Sequence, residues 1–154
     1  MLKIARNLTF VVFAGVMALI AADPFMGTWK LNPAKSKYNP GPVPKSATMT
    51  YTQDGDWIVG KSDTVGADGT ATTATNRYKR DGKEYPYRGA TGDSGTIAVK
   101  AIDANTAQAT IKIGTSTLTL RTAISKDGKS FTRTTKGTDT QGRQVDNVAV
   151  YEKQ

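Results

Sequence analysis

Gly92-Asp93-Ser94-Gly95 copies a serine-nucleophile motif and is the first place in this chain where chemistry suggests itself. A serine hydroxyl needs a base to take its proton, and the chain has no histidine. A glycine-rich connection between two strands has the same composition, and the motif is read that way. Asp54-Gly55-Asp56 sets two acids around a glycine, but the further spaced acids and terminal Glu of a calcium loop are missing. It reads as a hairpin turn. With neither His nor Cys in 154 residues, imidazole and thiolate catalysis and the usual zinc ligands are excluded. No catalytic residue, metal site or cofactor is expected, and the protein reads as a non-enzyme.

Arg77-Tyr78-Lys79-Arg80-Asp81-Gly82-Lys83-Glu84-Tyr85-Pro86-Tyr87-Arg88 is the densest local feature. Aromatic side chains interleaved with cations can stack on single-stranded nucleic acid. They also suit a hairpin with a solvated charged face and cross-strand tyrosines, and that reading is preferred. No nucleic-acid partner is expected.

The elements that would position any site are short strands. Thr, Val, Ile and Tyr recur in brief runs, broken at Asp54-Gly55, Asp68-Gly69, Asp81-Gly82, Gly114-Thr115, Asp127-Gly128 and Gln141-Gly142. Such dipeptides supply the positive φ of tight hairpin turns. The pattern predicts about ten strands: Met26–Leu31, Ala47–Gln53, Trp57–Thr64, Ala71–Arg80, Lys83–Arg88, Thr96–Ala101, Ala107–Ile113, Ser116–Ser125, Lys129–Gly137 and Gln144–Glu152. Alternation is plain where Leu118, Leu120 and Ile124 share one face and Thr117, Thr119 and Arg121 the other. Connections after Pro44 look local. An all-β, antiparallel up-and-down meander of about 8–10 strands, closed into a barrel with no substantial helix, is therefore expected. Asn32 before Pro33 suits the cap of one short turn.

The first residues read differently. Lys3 and Arg6 precede an apolar run from Leu8 to Ile20, which exits through Ala21-Ala22 to the polar Asp23. This is the pattern of a secretory signal over residues 1–22, leaving one domain over 23–154. Cleavage there removes two cations and no acid, taking the net charge from +8 to +6. The expectation is a periplasmic or secreted monomer, with no stable membrane insertion once the signal is removed.

Phe25-Met26-Gly27-Thr28-Trp29-Lys30-Leu31 resembles the first strand of the calycins, the lipocalins and fatty-acid-binding proteins. Val150-Tyr151-Glu152-Lys153 resembles the closing strand of the fatty-acid-binding proteins, which commonly ends in Arg-x-Tyr-Glu-Lys. The opening Gly-Thr-Trp-Lys-Leu-Asn-Pro-Ala-Lys-Ser-Lys and the Asn-Val-Ala-Val-Tyr ending also resemble a set of bacterial exported proteins of unassigned function.

The resemblance implies a lipocalin-like barrel in which Gly27 and Trp29 form a structural plug at one end. It implies a small apolar or amphipathic ligand whose polar end meets Tyr151. Two departures qualify it. Pro33, Pro40, Pro42 and Pro44 forbid the pair of lid helices that follows strand one in fatty-acid-binding proteins. Ala149 stands where the closing arginine of that family should be, so Arg133, which shares a face with Phe131, is the candidate substitute. Trp57 is the third candidate ligand contact, since core filling and pocket lining both point inward. A protein-binding barrel, acting as an inhibitor or envelope module, is the alternative. Bulky side chains filling the barrel would favour that module, and an apolar hollow would favour a carrier.

Overall fold

The computed structural model describes residues 22–154, so the expected signal lies, apart from Ala22, outside the described residues. Ten strands follow one another: β1 (Gly27–Leu31), β2 (Ser46–Asp54), β3 (Trp57–Val65), β4 (Ala71–Tyr78), β5 (Asp81–Arg88), β6 (Ser94–Asp103), β7 (Thr106–Ile113), β8 (Ser116–Ile124), β9 (Ser130–Thr138) and β10 (Gln144–Lys153). Each predicted strand is present, with ends within two residues of those expected. The turn glycines carry the positive φ that their Asp-Gly and Gly-Thr settings implied, for example Gly55 at 58° and Gly128 at 68°. Gly92-Asp93 lies in the loop between β5 and β6, folded by Gly92 N–H donating to the Gly89 carbonyl. Pro33–Lys35 forms one 3₁₀ turn, capped by the Asn32 side chain, and the prolines that follow exclude lid helices.

The strands form one antiparallel sheet in the order β4-β3-β2-β1-β10-β9-β8-β7-β6-β5. The first and last strands pair in its middle, with Trp29 opposite Lys153 and Leu31 opposite Tyr151. The barrel is nearly closed. β4 and β5 share no backbone ladder, which departs from the expectation that closure removes both edges. The physical reason lies in β5. Pro86 has no N–H to offer a neighbour, and the register against β6 shifts between Asp81 and Glu84.

A side chain bridges this seam. The Asn76 carboxamide on β4 accepts from the Arg88 N–H at 2.8 Å and donates to the Arg88 carbonyl at 3.0 Å, as a ladder residue would. The two backbone partners fix which end of the amide is oxygen. Asn76→Ala should therefore loosen the seam selectively. The two hydrogen bonds are worth about 0.5–1.5 kcal/mol net each, so exchange of the Arg88 amide should quicken about five- to a hundredfold. Amides of β1, β9 and β10 should keep their protection. Unchanged Arg88 exchange would show that something else holds β4 to β5.

The main core packs where β1, β9 and β10 meet. Trp29 is wholly buried, its ring centroid 4.9 Å from that of Phe131, and Phe131 stacks on Tyr151 at 4.7 Å. The indole N–H of Trp29 donates to the Phe25 carbonyl at 3.0 Å, and Lys153 covers the ring from outside. Gly27, at φ 116°, begins the strand that carries Trp29. A second cluster of Ile97, Val99 and Ile111 lies on β6 and β7, away from the tryptophan.

Candidate functional site

Strand parity brings the site together. On β2, Met49 and Tyr51 face inward, on β3 Gly60 and Ser62, and on β4 Ala74, Asn76 and Tyr78. Thr122 on β8 and Arg133 on β9 are direct register partners, and Ala149 on β10 is opposite Arg133 on its other side. The interior they line is a partly open cavity of about 160 Å³. One part is apolar, lined by Ile97, Val99, Ile111 and Leu120, and another is polar around Arg133.

Arg133 is surrounded by protein, and the surface it retains faces the cavity. Its Nε donates to Thr122 Oγ1 at 2.9 Å and one terminal nitrogen donates to the Tyr51 hydroxyl at 2.7 Å. Its guanidinium carbon lies 5.2 Å from the centre of the Phe131 ring. None of the ion pairs among the described residues includes it. Burial opposes the charge, and the hydrogen bond to the Tyr51 hydroxyl supports it. Burial also pushes the Tyr78 and Tyr151 hydroxyls upward, so at neutral pH both are uncharged dipoles. The result is a half-buried cation whose neighbours offer oxygen atoms and no negative charge. An anion entering the cavity would supply it.

Tyr151 is buried together with Ala149, so the inward face of β10 is theirs, and Val148 and Val150 are only half-buried. Its ring lies on Phe131 and it neighbours both Tyr38 and Arg133. Arg133 and Tyr151 thus belong to one cluster. The register shows how Arg133 reaches the position. Because Ala149 is directly opposite, a small side chain on β10 leaves the space that the guanidinium on β9 occupies. Trp29 and Gly27 sit at the packed β1 end and take no part in the cavity.

Trp57 does not join the cluster. At the first position of β3 it is half-buried outside the cavity, and Ile58 takes the inward place. Arg77 lies over its ring at 4.4 Å and Lys79 at 5.0 Å, and Tyr85 packs edge-on at 5.3 Å. Alternation decides this, because Trp57 and Arg77 sit on the same outer face of β3 and β4.

Sequence reasoning does not single out Tyr51 or Thr122, and it meets Arg80 only within the basic stretch from Arg77 to Arg88. Parity with Leu118, Leu120 and Ile124 was enough to place Thr122 inward. Tyr51, which is 82 residues from Arg133, needed the closed barrel to be found. Arg80 lines the cavity too, but its charge is taken by Asp23 at 2.7 Å, and its guanidinium lies 4.6 Å from the Phe25 ring centre.

The fold these features define is a ten-stranded barrel like that of the fatty-acid-binding proteins. A Schistosoma mansoni fatty-acid-binding protein solved in complex with arachidonic acid superposes with a TM-score of 0.64 at 16% identity, over 85% of this chain and 96% of that one. Fatty-acid-binding protein 1 of Echinococcus granulosus gives 0.63 at 15% identity, covering 84% and 97%. A zebrafish ileal bile acid-binding protein complexed with cholic acid gives 0.58 at 18% identity, covering 85% and 99%. At these identities the likeness concerns the fold alone. No protein-family model and no curated protein sequence matches the chain.

Proposed function

We propose that this protein is a non-enzymatic carrier that holds a small amphipathic acid inside the barrel, with the acid's carboxylate on Arg133. The single observation that carries the reading is the interior arginine, bonded to two hydroxyls, without an acidic partner and open to a cavity with an apolar wall. Leaving such a cation unpaired is costly, and a charge-assisted hydrogen bond to an anion offsets that cost. Tyr151 and Trp29 are packed into the aromatic core, so Tyr151 acts by fixing the wall beside the guanidinium. The hollow, as opposed to a barrel filled by side chains, supports a carrier over a protein-binding module. Likeness in fold to proteins solved with arachidonic and cholic acids supports the same class of ligand. Export belongs to this reading on the sequence of residues 1–22 alone, and the intact mass of the mature chain is its check.

Paired ligands test the head group. Octanoate should bind at least about tenfold tighter than octanol, because a hydrogen bond to a charged partner contributes roughly 1.5–3 kcal/mol. The pH dependence follows with a definite sign. Arg133 lowers the bound carboxylate's pKa, so binding is full above the free acid's value, near 4–5, and is lost as pH falls from there through the lower value of the bound acid. From pH 6 to 9 the affinity should be level. Equal binding of acid and alcohol by calorimetry would remove the anionic head group from the reading.

A further inference from the structure

We infer that the site selects compact acids, with bodies of about six to ten carbons, and excludes the long chains that a barrel of this fold suggests. The inference rests on the carrier reading and concerns the limit that the cavity sets. An apolar cavity of roughly 150 Å³ accommodates a benzene ring, and sites for drug-sized ligands run to about 300–1,000 Å³. At about 160 Å³ this interior falls at the small end.

Named residues make it small. Gly60 has no side chain, and a Cβ there would lie 3.1 Å from the Tyr51 ring and 3.7 Å from the Tyr78 ring. Both rings therefore rest close against β3 and occupy volume between Arg133 and that wall. Phe25 also lines the space, and it is held by the Trp29 indole on its carbonyl and by Arg80, which lies over its ring and pairs with Asp23. The seam between β4 and β5 is the natural slot for a protruding tail, but the Asn76 side chain spans it. A long chain that kept to the interior would have to break that clasp or displace Phe25.

The test is a length series on the intact barrel: butanoate, hexanoate, octanoate, decanoate, dodecanoate and tetradecanoate, with benzoate as a compact ring, by calorimetry at pH 7. Affinity should climb to about octanoate and fall at least tenfold by tetradecanoate, because forcing extra methylenes into a filled interior is unfavourable. Benzoate should bind within about tenfold of hexanoate, since the two bodies have similar volume. Affinity that keeps rising through tetradecanoate would overturn the size limit and leave the carrier reading standing. Failure of every acid to bind would overturn the carrier reading and this inference together. Leu120→Ala, which enlarges the apolar wall, should move the optimum to longer acids, and Leu120→Val should move it less. A folded variant of either kind with an unmoved optimum would also overturn the limit.

Discussion

Arg133→Met should abolish carboxylate binding while leaving the empty barrel at least as stable as the parent. Truncating one partner of a desolvated, hydrogen-bonded charge pair costs about 2–5 kcal/mol of binding, so octanoate affinity should fall by on the order of a hundredfold or more. Stability moves the other way. Arg133 has hydroxyl partners and, among the described residues, no ion-pair partner, and replacing buried charge with a hydrophobic side chain of similar volume is often neutral or stabilising. Tyr51 and Thr122 lose a donor, but both border the cavity, where water can reach them. Thermal melts of the two proteins, with and without octanoate, read both effects. A core arginine with a purely structural role would give the reverse result, a lowered Tm with binding retained. Arg133→Lys should recover little, because an ammonium cannot present the planar fork that meets Thr122 and Tyr51 together.

Trp29→Ala should give the largest loss of stability of any single change in the barrel. The side chain has no accessible surface, packs on Phe131 and ties down the Phe25 carbonyl. Truncating a buried aromatic of this size typically costs about 3–5 kcal/mol. For a domain of this length that is a fall in Tm of roughly 10–20 °C. Trp29→Phe, which keeps the ring but loses the hydrogen bond to Phe25, should cost less than half as much. A Trp29→Ala protein melting with the parent would mean that the β1–β9–β10 packing does not hold the fold together.

Much of this architecture was legible before any coordinates. The Asp-Gly turns divide the chain, and alternation such as Leu118-x-Leu120 sets a face, so ten strands emerge with nearly correct ends. Local signals of that kind depend on neighbours in the chain. The open seam was also written in the sequence, since Pro86 within a strand marks an edge. What the sequence could not supply was which inward residues meet. Thr122 and Arg133 face each other only once the β8–β9 register is known, and Tyr51 joins them only across the barrel. Trp57 misled for a related reason. Trp57-Ile58-Val59 is apolar throughout, so a strand beginning there has no internal clue to which residue turns inward.

The pairing of β1 with β10 has a consequence for how the chain finds this shape. Neighbours in the sheet are neighbours in the chain at every ladder except this one, where Trp29 must find Lys153 across the length of the domain. Bringing such distant segments together carries the entropy of closing the longest loop, the kind of contact that slows folding. The seam falls at the turn formed by Lys79 and Arg80, where no ladder would be cut. A circular permutant opened there, with a short linker from Gln154 to Asp23, would run through the sheet from edge to edge in chain order. The barrel's interior would be unchanged, and its slowest search would become its shortest.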